Sequence, residues 1–138
     1  MVIPFLYIIT NIQTITMEEF LNKLFTSREV AHVLHLKSKG EGSFAEHMAL
    51  QGYYEGIVDL IDSLSETYQG QFGLLDFSKI STISDVVFSD TIKYFEELTA
   101  YVVESRDSIT KDATHLNNQL DDIVTLLYTT LYKLKNLK

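Results

Sequence analysis

The chain has 138 residues, 46% of them apolar, with one proline, no cysteine and a formal net charge of −8. That is enough for a single domain, residues 1–138, with a real core, and no linker composition divides it. Disulfides and cysteine-ligated zinc are excluded. The acidic balance disfavours nonspecific DNA binding by the folded body and suits the attraction of cations.

Met1 to Ile9 is apolar and contains Pro4. It has neither a basic start nor a small-residue cleavage site, so a secretory signal is not expected. No apolar run reaches the length of a membrane span, and a cytoplasmic location is expected. Residues 1–15 are expected to form an arm on a neighbouring subunit or a loose tail. Thr16-Met17-Glu18-Glu19 reads as a capping box that starts a first helix ending near Lys39. Phe20, Leu24, Ala31 and Leu34 recur along it at helical spacing. Gly40 and Gly42 supply a short turn, and Ser43 is placed to cap the second helix.

The second helix is predicted from about Phe44 to Tyr68. Leu50, Tyr54, Ile57, Ile61, Leu64 and Tyr68 form its apolar stripe. Glu55, Asp59, Asp62 and Glu66 form a second stripe, which by default is a solvated face. Gly52 and Gly56 weaken the helix or let another helix approach it closely. Gly70 and Gly73 close it. A crossover comes next, with a short helix expected over Ser78–Val86. Ser89 or Asp90 caps a third helix whose apolar face is Ile92, Phe95, Leu98, Val102 and Ile109. A break near Lys111–Asp112 precedes the last helix, carried by Leu116, Leu120, Ile123, Leu127, Leu134 and Leu137. The fold class read from this pattern is all-α, with one long crossover between the second and third of four helices.

The chemistry gathers between residues 35 and 66. His35 ends the first helix and His47 begins the second. Gln51, Asp62 and Glu66 lie further along the second helix. Imidazole and carboxylate together suit first-row transition metals, iron included, better than calcium or magnesium. From His47 to Asp62 is fifteen residues, roughly 22 Å at 1.5 Å per residue. One metal ion cannot touch both ends. If all these residues share a metal, the Asp62/Glu66 pair comes from a second copy, and an antiparallel two-fold pairing makes two identical sites.

His35, Gly40, Phe44, His47, Asp62 and Glu66 stand at the offsets of a motif found in the Dps mini-ferritins, and the segment resembles that branch of the ferritin-like proteins. Tyr54 also falls where that family often has tyrosine. The resemblance covers about a quarter of the chain. It implies a ferritin-like four-helix bundle with a short helix in the crossover, and a homo-oligomer of twelve subunits built from two-fold dimers. It implies oxidation of Fe(II), with peroxide or dioxygen as oxidant, and storage of Fe(III) in a hollow shell. The metal ligands would be His35 and His47 of one subunit with Asp62 and Glu66 of its mate. Three positions depart from the pattern. Gln51 replaces a ligand carboxylate, so it offers a carbonyl oxygen without charge and puts a second ferrous ion in doubt. Leu36 stands for a common tryptophan and Thr67 for a common arginine.

Those departures favour a rival, a Dps-fold structural or interaction protein with weakened or lost iron oxidation. A monomeric bundle with purely superficial histidines and acids is a third reading. His32 lies one turn before His35 and is read as structural or solvated, and His115 as a surface or capping residue. Lys133, Lys135 and Lys138 make a small basic tail. Its default role is to complement the helix dipole, so DNA binding is expected to be weak or absent.

Overall fold

The computed structural model describes residues 14–81 and 90–138, and the regular structure among them is entirely helical. Helix α1, Met17–Lys37, starts as the capping box demands. Thr16 Oγ1 accepts from Glu19 N at 3.1 Å, and Thr16 N donates to Glu19 Oε2 at 2.8 Å. It ends two residues earlier than the spacing implies.

Helix α2, Ser43–Phe72, begins differently from expectation. Gly42 holds the N-cap position with φ of 77°, and Ser43 is already helical, so no side chain caps this end. The left-handed turn at Gly40 and Gly42 decides this, because serine rarely adopts such a conformation. The far end also moves. Gly70 is carried through the helix, and Gly73, with φ of 100°, terminates it by donating to Gln69 O.

The crossover contains a 3-10 turn, Phe77–Lys79, capped by Asp76. Ser81 N donates to Asn22 Oδ1 at 2.8 Å and ties it to α1. Residues 82–86 of the short helix expected there lie outside the described residues, as does most of the expected arm. Asp90, one of the two expected caps, caps α3, Thr91–Glu104, by accepting from Lys93 N at 3.0 Å. The expected third helix is broken in two. Ser105 turns its hydroxyl back onto Tyr101 O at 2.6 Å, and a short α4, Arg106–Thr110, continues beyond it. A serine bonded to the preceding turn bends a helix in this way. Lys111 and Asp112 both take positive φ and separate α4 from α5, Thr114–Asn136.

Helix α1 packs on α2, α2 on α5, α5 on α3 and α4, and these last two on α1. The contacts Ser27–Tyr53 and His35–His47 run in opposite directions along α1 and α2, which marks an antiparallel hairpin. The core is built from Phe20, Leu24, Leu50, Ile57, Phe95, Leu116, Leu120 and their neighbours. One core position differs from the periodic reading. Tyr53, not Tyr54, is the fully buried tyrosine of α2. It lies three residues after Leu50 and four before Ile57, and its ring meets Phe95 edge-on at 4.9 Å. Its hydroxyl pairs with Ser27 Oγ at 2.6 Å. Since Ser27 donates its one proton to Leu24 O at 2.7 Å, Tyr53 is the donor in that pair.

Candidate functional site

The hairpin turn brings His35, in the last turn of α1, against His47, in the first turns of α2. Their rings stack with centroids 3.5 Å apart and planes 20° from parallel. Each ring bonds the backbone of the other residue. His35 Nδ1 lies 2.8 Å from His47 O, and His47 Nδ1 lies 2.9 Å from His35 O. A carbonyl oxygen only accepts, so both Nδ1 atoms carry the proton. In the neutral rings, both Nε2 atoms therefore keep their lone pairs. This is the arrangement by which backbone carbonyls commonly set the tautomer of metal-binding histidines. His35 is buried and His47 half-buried.

Aromatic rings extend the cluster. Tyr54 meets His35 edge-on at 5.2 Å and stacks on His32 at 4.4 Å. Tyr54, expected in the core stripe, is half-buried and packs both against the core and on the histidines. His32, expected to be structural or solvated, supports Tyr54 from the far side. The sequence signal for this grouping is spacing, since His32 and His35 share one face of α1.

Gln51 lies one turn beyond His47. Its Nε2 donates to Glu55 Oε1 at 3.0 Å. Asp62 and Glu66 are exposed, about 22 Å and more along α2 from His47. The structure thus brings His35 and His47 together, and within one chain it leaves the two later acids far away. Among the described residues, no three or more His, Asp or Glu side chains of this chain gather as a metal-holding group. His115 is exposed and shares a 2.7 Å hydrogen bond between its Nε2 and Gln71 Oε1, remote from the stacked pair.

The donor chemistry fits a transition-metal cation. Two imidazole nitrogens, tautomerically fixed, are borderline ligands suited to iron, zinc or cobalt. Lone pairs lie in the ring planes, and near-parallel planes 3.5 Å apart do not converge on one point. A single ion held by both histidines requires one ring to turn.

The α2 face beside this pair is uncovered. On α2, Phe44 is 76% exposed and Met48, one turn later, is also exposed; Leu36, 71% exposed, belongs to the end of α1. Gly52 continues that face, and a Cβ there would meet nothing within 4 Å. Gly56 does not belong to it, because a Cβ there would lie 3.5 Å from both methyls of Leu126 on α5. The close approach expected of both glycines is therefore intramolecular at Gly56.

The chain belongs to a family of unknown function, DUF5856, whose model matches residues 35–134. The matched region takes in His35, His47, Gln51, Asp62 and Glu66. The chain is also similar to the uncharacterized 14.6 kDa protein of the mobD-ri intergenic region of Enterobacteria phage T4. The two are 28% identical over 124 residues, which cover 85% of this chain and 86% of the phage protein. No solved structure matches the chain.

Proposed function

We propose that the chain is a Dps-like mini-ferritin subunit that oxidises Fe(II) at sites shared across a two-fold interface and sequesters Fe(III) in a hollow shell. The observation that carries the proposal is the reciprocal pair of histidine–carbonyl bonds, which puts the proton of each neutral ring on Nδ1 and leaves both Nε2 lone pairs outside these bonds. The motif spacing from His35 to Glu66 and the order of helix neighbours support a ferritin-like four-helix bundle, and the resemblance implies twelve copies of it. The uncovered face of Leu36, Phe44, Met48 and Gly52 supports pairing with a second copy. A cytoplasmic location accords with this reading.

Fe(II) is the substrate. His35 and His47 bind it as neutral ligands. Asp62 and Glu66 of the mate balance its charge; within one chain they are too far along α2 from His47 to reach the same ion. Each ferrous ion gives up one electron. Two electrons and two protons reduce one peroxide to two waters, or dioxygen to one peroxide. The test pairs particle size by light scattering with ferrous uptake followed optically. A large closed particle that oxidises Fe(II) supports the reading. A sharp monomer at micromolar concentration would contradict both the shell and the shared site.

The second reading rests on the same two bonds. They also fasten the α1–α2 turn, which a structural or interaction protein of Dps fold needs without any iron chemistry. Gln51 without a negative charge favours it. Assembly without any ferrous oxidation by the wild-type protein would decide for it.

A further inference from the structure

We propose that Glu55 is a positioning residue for the cation site, holding the Gln51 amide and supplying the negative charge that position 51 lacks. This rests on the shared-site reading above. His47, Gln51 and Glu55 succeed one another at four-residue steps and so lie along one face of α2. Gln51 Nε2 donates to Glu55 Oε1 at 3.0 Å. With its amide nitrogen engaged there, Gln51 presents Oε1 as a hard oxygen ligand. An amide oxygen alone brings no charge to a dication. Gln51 and Glu55 together carry the single negative charge that a carboxylate at 51 would carry, displaced by one helical turn. The register helps as well. Setting position 47 against 62–66 of an antiparallel mate places position 55 at about the two-fold axis, between the two sites. There the bond to Gln51 draws each Glu55 toward its own site.

An ordinary exposed pair at this spacing would affect helix stability slightly and cation affinity not at all. Cobalt(II), which is not oxidised under the conditions of a calorimetric titration, separates the two. The proteins are wild type, Glu55→Gln, Glu55→Ala, His47→Ala and the double variant Gln51→Glu/Glu55→Ala, each checked for helicity and melting. Loss of a residue that orients a metal ligand weakens binding by about tenfold or more, and that is expected for Glu55→Ala. Glu55→Gln keeps an acceptor and loses the charge, so it falls between Glu55→Ala and wild type. The double variant returns to wild-type affinity because the carboxylate now stands at 51. In ferrous oxidation, Glu55→Ala raises the half-saturating iron concentration more than it lowers the maximal rate. If Glu55→Ala binds cobalt like wild type while His47→Ala does not bind, the role of Glu55 is refuted and the histidine site stands. If His47→Ala also binds like wild type, both fall.

Discussion

At the scale of single residues, two buried pairs on the α1–α2 hairpin do different work. The Ser27–Tyr53 pair specifies the core. Burial pushes the Tyr53 phenol well above its ordinary value of 10.0, and nearby Tyr94 adds to the rise. Burial raises Tyr94 in the same direction. A group raised in the folded state keeps its proton there after the unfolded chain has released it. Stability is therefore full below pH 10 and falls above it, by up to about 1.4 kcal/mol per pH unit for each such tyrosine. Urea midpoints measured between pH 8 and 11.5 should bend downward past pH 10, with a shallower bend in Tyr53→Phe. Near neutral pH, Tyr53→Phe should cost about 1 kcal/mol, the usual worth of one hydrogen bond. The His35–His47 pair fastens the α1–α2 turn and, in the proposed function, is the ligand surface. Nitrogen NMR should find the Nδ1–H tautomer at both residues in the neutral form, and zinc(II) should perturb both Nε2 signals. An Nε2–H tautomer at either would contradict the reciprocal bonds. The sequence shows both histidines through their spacing. It cannot show that each bonds the backbone beside the other, because that depends on the left-handed turn at Gly40 and Gly42. Tyr53 and Tyr54 are adjacent aromatics, and periodicity alone does not separate the core ring from the ring beside the histidines.

At the scale of elements, the helix starts are largely legible in the sequence and the stops are not. Thr16 and Asp90 cap as their side chains require. The expected apolar residues of α1 are buried, as are Phe95, Leu98 and Val102 of α3, while Ile92 is half-buried and Ile109 is buried in α4. On α5, Leu116, Leu120, Ile123, Leu127 and Leu134 are buried, but Leu137, expected with them, lies past the helix end and is exposed. Helix ends turn on single backbone conformations. Gly70 continues α2 because nothing there demands a positive φ, while Gly73 adopts one. Gly73→Ala should therefore destabilise the chain by about 1 kcal/mol. Gly56→Ala should do the opposite. It removes a glycine from a helix interior and places a methyl at ordinary contact distance from Leu126, so thermal melting should show a gain of up to about 1 kcal/mol. The α4–α5 break is legible as a position. Its fastening is not, since Lys111 Nζ sits 4.5 Å from the Phe72 ring centroid, across the end of α2.

At the scale of the whole molecule, the net charge of −8 disfavours nucleic-acid binding, and the uncovered α2 face supports the proposed pairing of copies. Lys135 is engaged with Glu96 at 3.1 Å, and the Lys138 side chain lies against Gly42, so two of the three tail lysines rest on their own chain. No tight duplex binding is expected at physiological salt; a gel shift that persists there and disappears when Lys133, Lys135 and Lys138 are neutralised would oppose this. The central claim is that each iron site joins His35 and His47 of one copy to Asp62 and Glu66 of another. The roughly 22 Å between the ends of this motif on α2 is readable from residue numbers alone. The measurement that tests it most directly is ferrous oxidation by mixed oligomers of His47→Ala and Glu66→Ala. Each variant alone should lose most activity, because every site lacks one ligand. In a mixed pair one site lacks both ligands, and the other combines an intact His47 with an intact Glu66. Activity should partly return once mass measurement shows that subunits have exchanged. Wild-type oxidation with confirmed exchange and no recovery on mixing would contradict the shared site.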